Sequence, residues 1–283
     1  MMRTLYNAPA GAAITLGLGV FFALSRPAMA RERAPDRIAV AVGVTVAPDY
    51  EGSDDYNPTL ATGALVRVDG WSVTWKGNSL SVDLIPEYRD QTFKIVAGPI
   101  IDFNFDRAIT PHDPVVGLTR RRKVALEGGG FVGFAKTGVL TSAYDTVSVT
   151  LTGGYDLGNV HHSLIVTPSL TYSSPLSRGT MVQLGLSADV VGGRYARYYF
   201  GVGGNSATTS GLPRYQPGGG LKSVSIGLGG AVALNGDLDR RGFLVGGYFN
   251  FERLLGSFAA SPVVATRGNA NQLSVSAGVG YHF

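Results

Sequence analysis

Apolar and polar residues take turns along most of this chain, and that period of two fixes what it can fold into. Alternation at every second position is the mark of a β-strand with two unlike faces. From Arg37 onward, Ile38, Val40, Val42, Val44 and Val46 oppose Arg37, Ala39, Ala41, Gly43 and Thr45. Val147, Val149, Leu151 and Tyr155 oppose Thr146, Ser148, Thr150 and Thr152, and Val182, Leu184, Leu186 and Val190 oppose Gln183, Gly185, Ser187 and Asp189. The chain closes the same way: Leu273, Val275, Ala277, Val279, Tyr281 and Phe283 alternate with Gln272, Ser274, Ser276, Gly278, Gly280 and His282.

A soluble sandwich also alternates, but its strands most often run to about 5 or 6 residues. These run to roughly ten or more, the length a tilted strand needs to cross a bilayer. Their polar face is built from Gly, Ser and Thr; the chain holds 40 Gly and only 16% charged residues. Such a face suits a confined, hydrated lumen, whereas an open soluble surface carries about a quarter charged residues. No stretch in the body of the chain approaches the ~18 apolar residues of a spanning helix. In lipid every backbone group must be paired, and a closed sheet is the only way to do this without helices. The pattern therefore predicts an all-β fold, a transmembrane antiparallel β-barrel.

Strands are predicted near 37–47, 60–68, 70–76, 79–88, 92–105, 124–136, 144–156, 162–174, 180–192, 220–234, 241–253 and 271–283. That makes about twelve, or ten if the weak pair around Trp71 to Leu84 merges. The long connections, about 48–59, 106–123, 193–219 and 254–270, all follow odd-numbered strands. The intervening turns are short, as on the periplasmic side of outer-membrane barrels. The last strand must pair with the first to remove both sheet edges.

Residues 1–30 read as a cleaved signal peptide: Arg3, an uncharged apolar segment from Ala10 to Leu24, and Ala28-Met29-Ala30 as the peptidase site. The mature chain, 31–283, is then one barrel domain with a short periplasmic lead at 31–36, exported to the cell outer membrane. Removing the leader's Arg3 and Arg26 brings basic and acidic residues close to balance, which gives no reason to propose nucleic acid. The absence of Cys excludes thiol catalysis and thiolate metal sites, and no cofactor motif is present.

Several motifs carry polar chemistry. Asp49, Glu51, Asp54 and Asp55, with Tyr50 and Tyr56, could offer oxygens to a cation but lack EF-hand spacing, and they read better as a solvated turn. Arg120, Arg121, Arg122 and Lys123 could bind phosphate groups of lipopolysaccharide. His161 and Ser163, two apart, permit a lipid-hydrolase hypothesis that lacks a third partner; His112-Asp113 suggests a protease dyad more weakly still. Gln183, Asp189, Asn250 and Glu252 would line or plug a lumen narrow enough for a small-solute channel.

Two blocks point further. "PDYEGSDDYNP", with Pro48, Tyr50, Gly52 and Ser53, and "YYFGV" through "SGLPRY", with Tyr199, Phe200, Gly201, Val202, Ser210, Gly211 and Leu212, resemble the signature stretches of the MipA/OmpV family of MltA-interacting outer-membrane proteins. The resemblance extends to "VAGPIIDFNFDR" and "LEGGGFVGF" and covers essentially the mature chain. It implies a barrel without enzymatic activity, acting as a scaffold for murein enzymes, with a lytic transglycosylase and a penicillin-binding protein as partners. It supplies no motif for those contacts. The terminal Tyr281 and Phe283 also resemble the signal read by the outer-membrane assembly machinery.

Overall fold

The computed structural model describes residues 32–283, so the predicted leader lies outside the described residues. Twelve strands follow in order: β1 (Arg37–Pro48), β2 (Tyr56–Val68), β3 (Trp71–Lys76), β4 (Ser79–Asp83), β5 (Phe93–Asn104), β6 (Ala125–Thr137), β7 (Thr146–Asp156), β8 (Leu164–Ser177), β9 (Thr180–Val191), β10 (Gly220–Ala233), β11 (Gly242–Leu254) and β12 (Asn271–His282). Each pairs with the next, and β12 returns to β1 to close the barrel. The seam runs antiparallel from Ala39 opposite His282 to Val46 opposite Val275, the first-to-last closure that the alternation demands.

The apolar face points out. Val44 is 52% exposed while its neighbour Thr45 is 6% exposed and shares a 2.7 Å hydrogen bond with Ser276 inside. Exposed Val, Leu and Phe side chains therefore form a belt that hydrocarbon can cover, and closure pairs the backbone behind it. Small inward residues keep part of the interior hollow; Ala41 points inward and is still exposed. Elsewhere the lumen is filled. Tyr248 lies over β10, where a Cβ on Gly227 would stand 1.8 Å from the Tyr248 hydroxyl, so a side chain there would have to displace the ring.

The boundaries differ from expectation at two prolines. β2 starts at Tyr56, four residues before the predicted 60, although Asn57-Pro58 reads as a turn. Pro58 is tolerated because it sits opposite Val46 and directs its missing N–H away from β1. β4 stops at Asp83, short of the predicted 88, just before Pro86, and β3 and β4 remain separate strands joined at Gly77-Asn78. The segment 84–92 instead covers the barrel's short-turn end. There it meets the lead: Ala34 N–H donates to Glu87 O at 2.9 Å and Arg89 N–H to Glu32 O at 2.8 Å. Buried Glu87 pairs with Arg67 at 2.7 Å and with Lys94.

The opposite end carries the connections 49–55, 105–124, 192–219 and 255–270. They contain five short helices: α1 (Pro114–Gly117), α2 (Gly193–Phe200), α3 (Gly204–Ser210), α4 (Gly256–Ala259) and α5 (Pro262–Ala265). No helix among the described residues is long and apolar enough to cross a membrane.

Candidate functional site

The four long connections fold onto one another and close the mouth of the barrel. Their shared apolar core holds Tyr50 from the first, Val116 from the second, Tyr195, Tyr199, Phe200, Val202 and Leu212 from the third, and Phe258, Val263 and Val264 from the fourth. Phe200 meets Phe258 edge to face at 5.2 Å between ring centroids. The two sequence blocks thus converge in one cap. The Tyr50 hydroxyl reaches the carbonyls of Val263 and Arg267, each at 3.2 Å. The Ser261 hydroxyl donates to Phe200 O at 2.6 Å.

The glycines of those blocks have local reasons. Gly52 has φ +97°, and a Cβ there would stand 2.4 Å from Val264 Cγ2; its N–H donates to Gln272 Oε1 at 3.0 Å, and Gln272 returns a bond to Ser53 O. Gly201 and Gly211 end α2 and α3, Gly211 in the left-handed region at φ +74°. Ser210 back-bonds to Ser206 O, Val202 pairs with Tyr215, and Pro48 ends β1.

A polar layer underlies the core. A β-bulge between Leu221 and Ser223 in β10 aims Lys222 inward. Its ammonium pairs with Glu51, with Asp189 at 3.2 Å and with Glu252 at 3.8 Å, and sits 5.8 Å from the Tyr195 ring centroid. Tyr195 in turn donates to Glu51 Oε2 at 3.0 Å. One lysine therefore joins the first connection, α2 and three strands. Alongside it, buried Arg107 donates to Tyr199 O at 2.7 Å and to Thr119. Asp106 accepts from Glu51 N–H at 2.8 Å. Burial, then the Glu51 charge, pushes the Asp106 carboxyl up to about 7 against the pull of Arg107. Asp113 caps α1 and takes a forked contact from Arg267 at 2.6 and 3.0 Å. Burial raises its pKa, but the Arg267 bonds and the cap N–H groups outweigh this and hold it below the usual value.

The remaining candidate residues go different ways. His161 Nε2 lies 3.1 Å from Glu127 Oε1, and its ring packs 5.2 Å from Tyr195 and 5.8 Å from Tyr199. Ser163 is buried with its hydroxyl against Gly192, and no hydrogen bond joins it to His161 among the described residues. His112 faces Asp49 and Asn57 while Asp113 faces Arg267, so those two form no dyad. Of the acidic turn, Asp49 binds Asn57 at 2.6 Å, Glu51 binds Lys222, and Asp54 and Asp55 are exposed. No cluster that could hold a metal ion occurs among the described residues. In the basic run, Arg122 turns inward and stacks 5.0 Å from the Tyr198 ring centroid; burial, then repulsion from Arg107, lowers its pKa to about 10. Arg120, Arg121 and Lys123 stay outside. At the other end Tyr281 packs on Phe243 and Phe283 at 5.0 and 4.8 Å, and Phe283 N–H donates to Ile38 O at 2.9 Å.

Sequence reading missed Lys222, Asp106, Arg107 and Glu127. Only Lys222 left a trace: outward Leu221 and Val224 are three apart, which breaks the period of two where the bulge sits.

Against known proteins, the family model described as "MltA-interacting protein MipA" matches residues 40–283. No curated protein matches. Among solved structures, the crystal structure of Pseudomonas aeruginosa OccK11 (OpdR) aligns over 89% of this chain and 98% of its own at 10% identity, with a TM-score of 0.29, a likeness too slight to argue from.

Proposed function

This chain belongs to the MipA family, and from that premise we propose that it is a non-enzymatic outer-membrane scaffold whose short-turn end holds murein-remodelling enzymes. An outer-membrane barrel is what the family and the closed sheet support. The finer reading rests on one observation: the four-connection cap gives the long-loop end a packed core, which leaves the turns, the lead and segment 84–92 as the face open to periplasmic proteins. The family's description names MltA as the interacting protein; in this reading a lytic transglycosylase would be the first client and a penicillin-binding protein the second. The signal peptide would deliver the chain for export, Tyr281 and Phe283 would address it to the assembly machinery, and Arg120, Arg121 and Lys123 would meet lipopolysaccharide phosphates. Arg122, turned inward, would serve the cap instead.

A second reading, a passive channel for small solutes, draws on the hollow lumen around Ala41. The cap argues against it. Affinity capture with tagged mature protein from solubilised outer membranes decides the scaffold: a lytic transglycosylase should be enriched over capture with an unrelated barrel, and equal recovery would reject the proposal.

A further inference from the structure

The barrel wall is incomplete on one side. β3 has 6 residues and β4 has 5, against 11 to 14 in the other strands. β2 meets β3 only from Gly63, opposite Lys76, to Val68, opposite Trp71. Its outer stretch, Tyr56 to Thr62, overhangs the Gly77-Asn78 tip. Neighbouring strands of a tilted barrel step by roughly one residue, and β1 and β2 end level, Pro48 opposite Tyr56. The overhang is therefore a gap in the wall, widest beside β2. On its far side it closes at β5, where Phe103 N–H donates to Asn78 O at 3.0 Å.

The direction of β2's backbone groups follows from one bond. Thr62 O accepts from Gly77 N–H at 2.8 Å on the β3 side. Residues two apart point the same way, so Leu60, Pro58 and Tyr56 turn their backbone groups into the gap, where no strand meets them among the described residues. A bare edge in a membrane invites another strand, but Pro58 lacks the N–H that such a strand would need at the centre of the overhang. That argues against a second barrel seating here. On the lipid side the gap is framed by Leu60, 72% exposed, and by Trp75, whose indole N–H donates to Gly77 O at 2.7 Å and satisfies the tip. Behind it lie inward-facing Ala61 and Leu65 and the hollow around Ala41, while Asn57 and His112 stand above it.

We propose that this gap is a lateral opening through which an acyl chain of a resident lipid, from the leaflet at the long-loop end, enters the lumen with its polar headgroup held near Asn57 and His112. The cap closes the axial route to the same space, so the wall is where the lumen meets apolar molecules.

The chain has no Cys, so single labels are straightforward. A fluorophore on Ala61→Cys, inside the gap, is compared with one on Ser187→Cys, inside the complete wall of β9, in the folded mature protein in vesicles of phosphatidylcholine with brominated acyl chains. The proposal expects severalfold stronger quenching at position 61. It also expects a hairpin lengthened by four residues on each strand to bring position 61 down to the level of position 187. Equal, weak quenching at both positions overturns the proposal, whether or not the lengthened hairpin folds. So does efficient disulfide dimerisation of Leu60→Cys in the membrane, which would place a second copy on the edge.

Discussion

Lys222 is the only cation paired with Glu51, Asp189 and Glu252 among the described residues. Buried charges are tolerable when paired, and removing one partner strands the others. Lys222→Ala should therefore destabilise the folded barrel by about 3 kcal/mol and open the cap to protease, read by chemical denaturation and limited proteolysis in detergent; unchanged stability would remove its role as a latch. Asp106 gives the cap a pH dependence. Its carboxyl is raised to about 7 by burial, so the folded state holds the proton more tightly than the unfolded chain does. Stability is then full below about pH 4 and is lost as pH rises through about 7. Protease resistance of the cap should fall between pH 5 and about 8, and Asp106→Asn should flatten that slope. Asp113 has the opposite sign: its lowered pKa contributes stability above its unfolded value that is lost on acidification.

Among the strands, what could be read from sequence was whatever repeats locally. The period of two located nearly all twelve and assigned lipid and lumen faces, because each side chain's face is set by its own position in the pleat. Prolines misled at the ends of β2 and β4, since the same ring that ends a strand is harmless where no donor is needed. The cap was not legible, because it depends on distant partners: Tyr50 meets Val263 across 213 positions and Arg107 meets Tyr199 across 92. Conspicuous polar pairs such as His161 and Ser163 are close in sequence yet face different neighbours. The closing strand also carries a prediction. Phe283 bonds the first strand and packs edge to face on Tyr281 at the seam, so deleting it should sharply lower the yield of heat-modifiable barrel in outer membranes; a normal yield would separate the aromatic end from assembly.

The whole barrel is closed by β12 against β1 and stoppered at the long-loop end by four connections sharing one core. Those connections obstruct the axial route into the lumen from that end. Without the stopper, the hollow around Ala41 would open toward the long-loop end. Single-channel recording across planar bilayers tests this: the folded barrel should show no sustained conductance, and a variant with connection 192–219 replaced by a short turn should conduct. Steady open-state currents from the intact protein at neutral pH would contradict a stoppered barrel.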